Sequence, residues 1–421
     1  MGDHRRRLRR NPDFVKLWAA HTLSLCGSQI TLLAVPLTAV LVLKATPLQM
    51  GLLRAAAWAP FLVVGLIAGL WIDRRPRQPI LIAMDLGRAV LLSAIPLGAF
   101  VGLLGLGLLY VVVGLLGTLT VFFEVAAPAF LSSLLVPEDI LEGNSRLQAS
   151  ASLAQVIGPG VAGVLVQVLT APMAVAVDAL SFVLSAVLVR NIRAVELLSP
   201  SRETQPLWDE LSAGVRLIVT NPILRAVTGC SSTLGLWSSL VATMYVLYIT
   251  QTLGLQPAAL GLIVMVGSAG GILGAVVAGT SARRFGLGHI MIGATLLDSA
   301  ATLLIPLAGR AGGMTVPLLV GAQALVGLTF SLYFIPQTSL RQLVTPIHVQ
   351  GRANAAYQLF AWGSMSGGSL LGGVLGQRVG LQSTLVIGAV GMCLSSLWLI
   401  ASPVRHLHEQ PAPLPRASSM P

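Results

Sequence analysis

The sequence predicts an all-α membrane protein, with twelve transmembrane helices arranged as two pseudo-symmetric six-helix halves. Three observations carry this prediction. Of 421 residues, 55% are hydrophobic and only 10% charged, with a mean hydropathy of +0.84, whereas a soluble domain carries about 25% charged residues. The apolar residues gather into about twelve runs, each near the roughly 20 residues a helix needs to cross a bilayer. The second half of the chain also echoes the first at an offset of 210 residues.

In order, the spans are expected at 15–43, 50–71, 79–101, 105–131, 147–169 and 171–190, then 222–250, 257–281, 288–308, 315–340, 353–376 and 381–401. Basic residues from Arg5 to Arg10 precede the first run in the manner of a secretory signal. The run itself, Leu17 to Leu43, exceeds the roughly 7–15 residues of a signal core, so it reads as an uncleaved first helix. Residues 191–221 form the one long polar connection. Within it Leu207, Trp208, Leu211, Val215 and Ile218 recur at helical spacing, which predicts a short amphipathic helix on the bilayer surface. The organisation is therefore a first half over 1–190, a linker over 191–221, a second half over 222–402 and a disordered Pro- and Ser-rich tail over 403–421.

Lysine and arginine collect on one side of this topology. The Arg5–Arg10 cluster, Arg74, Arg75, Arg77, Arg146, Arg190, Arg193, Arg283, Arg284, Arg341 and Arg352 fall there, against Lys44, Arg310 and Arg378 on the other. The positive-inside rule then puts both termini in the cytoplasm and the chain in the cell (inner) membrane. The same asymmetry accounts for the net charge of +11, so no nucleic-acid partner is called for. Cys26, Cys230 and Cys393 lie in separate apolar runs without metal or redox spacing, and are expected to be buried free thiols.

The repeat is specific. Asn11 pairs with Asn221, Pro12 with Pro222, Gly51 with Gly261, Gly69 with Gly279, Arg74 with Arg284 and Asn144 with Asn354. With a one-residue slip, Leu135-Val136-Pro137 matches Val344-Thr345-Pro346, and the glycine-rich runs at 158–163 and 367–373 correspond. Two six-helix halves in the same orientation are parallel repeats, an arrangement used by membrane transporters.

After the second span stands Gly69-x-x-x-Asp73-Arg74-x-x-Arg77, which resembles the signature loop of the major facilitator superfamily. Pro76 stands where that family usually has Gly, and Gln78 where it has a base. The resemblance implies the major facilitator fold and a gating role for Gly69, Asp73, Arg74 and Arg77, echoed by Arg283 and Arg284, which lack a carboxylate beside them. Gly158-Pro159-x-x-x-Gly163 is similar to the family's antiporter motif, in which a proline that cannot donate its backbone bond bends the helix. Asn11-Pro-Asp-Phe-Val-Lys-Leu-Trp18, Val136-Pro137-Glu138 and Asp178-Ala-Leu-Ser-Phe182 extend the resemblance to the drug and siderophore exporter branch, which includes macrolide-efflux and enterobactin-exporter proteins. It implies a secondary transporter that exports a small amphipathic organic molecule by alternating access. The Arg-x-x-Gln-Gly motif of many proton-coupled members is absent from span four. Two readings stand beside export: a facilitator or importer of another metabolite, and a non-transporting membrane sensor.

A nucleotide-cradling loop needs Gly-Lys-Ser/Thr, and the only lysines, Lys16 and Lys44, follow Val15 and Leu43. No cofactor is expected, and the energy source is an ion gradient, with protons first. Ionisable groups inside spans are costly and are therefore functional candidates. Asp85 and Arg88, three residues apart, share a helix face and are expected to form an ion pair; Asp178 and Asp298 are expected to be held by structural hydrogen bonds. Glu124 has no opposite charge within a helical turn and is the candidate site for a proton or cationic substrate, with Arg54 as candidate partner. Gln29, Phe122, Phe123, Trp237, Tyr245, Tyr333 and Gln337 are the candidates to line the substrate cavity, since aromatic groups with a few polar ones suit amphipathic ligands. His21 reads as a packing histidine. No metal site or catalytic triad is present, and the chain is expected to act as a monomer in the lipid bilayer on a small-molecule substrate rather than as an enzyme.

Overall fold

The computed structural model describes residues 11–72, 75–193, 207–346 and 349–407, so Asp73, Arg74, the Arg5–Arg10 cluster and the distal tail lie outside the described residues. Among the described residues thirteen α-helices follow one another: α1 Pro12–Leu37, α2 Pro47–Ile72, α3 Arg77–Val101, α4 Leu106–Leu134, α5 Pro137–Leu169, α6 Ala171–Arg190, α7 Leu207–Thr220, α8 Pro222–Leu247, α9 Pro257–Phe285, α10 Leu287–Leu307, α11 Thr315–Val344, α12 Gln350–Val379 and α13 Leu381–Ile400. Ten are long and apolar enough to cross a bilayer. The 26-residue α2 and 30-residue α12 also have crossing length, whereas the 14-residue α7 does not. The chain is an all-α membrane protein with six long helices on either side of α7. Apolar side chains such as Phe100 and Val276, 90% and 73% exposed, point outward, as a lipid-facing surface requires.

The repeat reaches down to backbone detail. Asn11 caps α1 by accepting from the amides of Asp13 and Phe14 at 3.1 and 3.2 Å. Asn221 caps α8 by accepting from Ile223 and Leu224 at 2.9 and 3.2 Å. Each helix then starts on proline, whose missing N–H is not needed there. Both end in a five-residue π-turn, Thr38–Val42 and Tyr248–Thr252. Left-handed residues follow at matching positions: Lys44 (φ 52) with Gly254 (φ 64), Gly102 (φ 77) with Gly312 (φ 55), and Thr170 (φ 83) with Gly380 (φ 86). Lysine and threonine thus occupy, in the first copy, conformations for which the second copy uses glycine.

Two expectations shift. Helix α5 begins at Pro137, ten residues before the apolar run from which it was expected, and α12 begins at Gln350. Hydropathy marks only the part of a helix that meets lipid. The true start of α5 is set by Pro137 at the first helical position with Glu138 and Asp139 in the first turn, where acidic groups favour the positive helix end. Helix α7 forms over Leu207–Thr220 as expected, and its Gly214 sits against the Arg352 carbonyl and Ala356 of α12, so it docks on protein. Cys230 is buried, but Cys26 is exposed, contrary to expectation, because it points away from the helices packed on α1.

By contacts the chain forms two units, one of residues 1–204 with 249–265 and one of 205–248 with 266–421. In the first, α1 packs on α5 and α6, α3 on α4 and α6, and α2 on α4. Its core joins Phe14, Leu17, Ala20, Ile72, Leu81, Phe123 and Phe130. In the second, α8 packs on α12 and α13, and α10 on α11 and α13, around Val227, Cys230, Met291, Tyr333 and Leu340.

Candidate functional site

Asp85, Arg88, Glu124 and Asp178 of the first unit converge. Asp85 and Arg88 on α3 form a buried ion pair, as their three-residue spacing predicts, and Ser185 on α6 donates to the other Asp85 oxygen at 2.7 Å. The guanidinium of Arg88 lies 4.1 Å from the ring centroids of both Phe123 and Phe182. The imidazole of His21 stacks on Phe123 with centroids 6.2 Å apart and planes within 4°. Phe182, Arg88, Phe123 and His21 therefore form one column drawn from α6, α3, α4 and α1. A delocalised cation between two aromatic faces gains from both quadrupoles, and only arginine offers the planar group this needs.

The same arginine interacts electrostatically with Asp178 and Glu124. Asp178 on α6 accepts from Thr31 of α1 and from Ser181 at 3.0 Å. A methyl group on Gly27 would strike the Asp178 carboxylate and Ser181, so glycine is what lets α1 approach them. Asp298 in the second unit accepts from Thr329 at 3.1 Å.

Glu124 is exposed and borders a cavity of about 690 Å³ lined by His21, Pro128, Asn144, Ser145, Gln148 and Ser152, among others. Its neighbouring cation is Arg88, whereas the sequence suggested Arg54. Helix register explains the correction. Gly114 of α4 is level with Ala56 of α2, and Gly117 with Ala57. Arg54 therefore lies about 15 Å along the axis from Glu124, at 1.5 Å per residue. His21, which the sequence reads as a packing histidine, lines the same cavity as Glu124. Spacing on one span could not show this, because the pair is assembled across α1 and α4.

The other candidates fall in several places. Phe122 meets Trp71 edge-on at 5.3 Å, and Arg75 covers the Trp71 ring at 4.4 Å. Gly158 faces Gln29, and Gly163 sits against the first turns of α9 at Pro257 and Gly261, while the Pro159 carbonyl faces Gly261. In the second unit Trp237 fills a slot over Gly391 of α13 and Tyr245 lies beside Gln323. The Tyr333 hydroxyl is 2.7 Å from Ser231, and Gln337 donates to Tyr357 at 2.7 Å. At the signature loop, Gly69 lies near the end of α2 and Arg77 opens α3. Gln78 donates to the carbonyls of Val189 and Ile192, both at 2.9 Å, an amide doing for the end of α6 what a basic side chain does elsewhere. In the second copy Arg283 and Arg284 are exposed in the last turn of α9, with Arg284 5.4 Å from the Phe285 ring.

Among the described residues, ten helices long and apolar enough to cross a bilayer, two more of crossing length and a repeat at one offset define a polytopic membrane protein built by duplication. The chain belongs to the Major Facilitator Superfamily, whose family model matches residues 17–368. It is 27% identical over 398 residues to the multidrug efflux pump Tap of Mycolicibacterium fortuitum, covering 92% of this chain and 94% of that protein. It is 26% identical over 404 residues to the uncharacterized MFS-type transporter YfiS of Bacillus subtilis (strain 168), covering 94% of each. Among solved structures, a bacterial homologue of the iron transporter ferroportin in its inward-facing state superposes with a TM-score of 0.74 at 18% identity, over 92% of this chain and 98% of that one. The nucleoside transporter NupG gives 0.74 at 13% identity, over 92% and 98%. At these identities the structures speak for the fold.

Proposed function

We propose that this protein exports small amphipathic organic molecules by alternating access, in exchange for protons, with Glu124 as the coupling carboxylate and the arginine-rich face in the cytoplasm. The observation that carries the reading is the cavity where Glu124 and His21 meet Asn144, Ser145, Gln148 and Ser152, backed by the buried Arg88 column. A carboxylate inside the bilayer is stable only when neutralised or paired. Glu124 has access to both states, through a proton or a cationic cargo from the cavity and through Arg88 on its protein side. Binding of one then competes with binding of the other, which is the requirement for exchange. The relatives named as multidrug efflux pumps support the direction and the breadth of substrate.

The test uses inside-out vesicles with an acidified lumen. Adding ethidium, an amphipathic cation, should alkalinise the lumen as protons leave in exchange. Glu124→Gln should reduce both dye uptake and the proton signal at least tenfold while the protein remains monodisperse. Uptake at the wild-type rate in Glu124→Gln would remove Glu124 from the coupling role; uptake indifferent to the pH gradient would remove proton exchange.

A further inference from the structure

The second unit carries a polar cluster that the repeat does not require. Tyr333, Gln337 and Arg341 are spaced by four residues and so share one face of α11. The Tyr333 hydroxyl meets Ser231 of α8 at 2.7 Å. Gln337, fully buried, donates to Tyr357 of α12 at 2.7 Å and to Ser231 at 3.4 Å. The Arg341 guanidinium lies 3.7 Å from the centroid of the Tyr357 ring. At the offset of 210, the first unit has His21, Phe123, Ala127, Leu131 and Leu147 at the positions of Ser231, Tyr333, Gln337, Arg341 and Tyr357. Three of those five are aliphatic. The same helix arrangement is thus held in the first unit with aliphatic groups at the positions of Gln337, Arg341 and Tyr357, whereas buried amide and guanidinium groups cost several kcal/mol unless matched.

Arg341 is matched only in part, by the hydroxyl of Tyr357. Its Nε and Nη1 atoms are buried and find no acceptor among the described residues. Helices α8, α11 and α12 contain no Asp or Glu, and Asp298 is the sole acidic residue between 211 and 407. Asp298 is level with Thr329, its hydrogen-bond donor, so Arg341, twelve residues further along α11, lies about 18 Å away along the axis. The C-terminal end of a helix favours a cation, but that field supplies no acceptor to the two N–H groups.

We infer that Ser231, Tyr333, Gln337, Arg341 and Tyr357 form a binding site for an oxyanion, the carboxylate of an otherwise apolar cargo molecule, in which Arg341 is the charge-recognising group and the Tyr357 ring fixes its plane. The cargo class then extends to amphipathic molecules that carry an acidic group, beside the cationic ones that Glu124 can take; this deepens the export reading and rests on it for the word cargo. The two units divide the work: the ionisable carboxyl belongs to the first, and anion recognition to the second. Charge-assisted hydrogen bonds to such a group are about twice as strong as neutral ones.

The experiment measures binding, so it stands or falls separately from proton exchange. Full-length protein in phosphatidylcholine nanodiscs is titrated with 2-naphthoate and with its neutral methyl ester, read by quenching of tryptophan fluorescence. The acid should bind about tenfold or more tightly than the ester. Arg341→Leu and Tyr357→Leu, each installing the residue that the first unit carries, should erase the preference. Equal binding of acid and ester by the wild type overturns the inference, as does a preference that survives in Arg341→Leu. Repeating the titration with phosphatidylglycerol in the nanodisc separates the sources of oxyanion. If that lipid displaces 2-naphthoate from the wild type, the site holds a lipid phosphate and the cargo assignment fails. Should Arg341→Leu not purify as a monodisperse species, Tyr357→Leu carries the same criterion.

Discussion

Removing the cation of the buried column is the most informative perturbation of the first unit. Arg88 is 3% exposed and Asp85 0%, so Arg88→Met leaves a buried carboxylate with only the Ser185 hydroxyl as donor. Loss of one partner from a buried pair costs about 3–5 kcal/mol, while replacing both partners by neutral groups is often close to neutral. The two aromatic contacts at 4.1 Å add about 1–2 kcal/mol each for a desolvated cation, and the thioether of Met recovers part of that. Arg88→Met should therefore lose about 4 kcal/mol, and Asp85→Asn combined with Arg88→Met should regain most of it. Transport should respond differently. If Arg88 serves only Asp85, the double variant recovers ethidium efflux together with stability. If Arg88 also acts on Glu124, stability returns and efflux stays at least tenfold down. The assay pairs thermal unfolding of the purified protein with efflux from vesicles. A double variant that regains both would refute the claim that Arg88 sets the state of Glu124; one that stays as unstable as the single variant would refute the pair energetics.

Two further predictions concern the backbone. Thr170 at φ 83 and ψ 156 occupies a region that costs a β-branched residue about 1–3 kcal/mol, whereas Gly380 at φ 86 has open space around its Cα. Thr170→Gly should raise the unfolding temperature by relieving about 1 kcal/mol, even after the entropy cost of glycine; Gly380→Thr should lower it, and opposite signs would contradict the assignment. A Cβ on Gly261 would lie 2.9 Å from the Cα of Gly163, an overpacked contact costing about 1–3 kcal/mol. Gly261→Ala should lower stability and slow efflux, whereas Gly293→Ala, with no atom in the way, should be neutral or stabilising; equal effects would show that the contact is not tight.

The fold was legible because each of its determinants is local or periodic. Apolar runs give the helices, Asn-Pro pairs give the starts of α1 and α8, and one offset gives the repeat. Hydropathy gives α5 too short because polar and charged residues dominate its first ten positions, and hydropathy sees only lipid contact. The site was partly legible. Asp85 and Arg88 share a helix face, so one helix suffices to pair them. The partnership of Glu124 with Arg88 rather than Arg54 depends on how far α2 and α4 slide along each other, a register set by Gly114 and Gly117 against Ala56 and Ala57. The stack of His21 on Phe123 draws on α1 and α4, and no spacing on one span encodes it.

The repeat itself offers a way to separate architecture from chemistry in this chain. Where the two copies agree, as at the Asn11 and Asn221 caps, the π-turns and the left-handed positions, the common cause is the common fold. Where they differ, the fold has been shown to tolerate both choices, so the difference calls for another cause. Arg88 corresponds to Asp298, Glu124 to Phe334 and His21 to Ser231. His21 and Glu124 line the cavity of the first unit, with Arg88 the cation next to Glu124, and the departures at Gln337, Arg341 and Tyr357 collect in one cluster of the second. Differences of charge and hydrogen bonding at these two places are what the proposed exchange asks of the two halves, one supplying the ionisable carboxyl and the other the anion-recognising arginine.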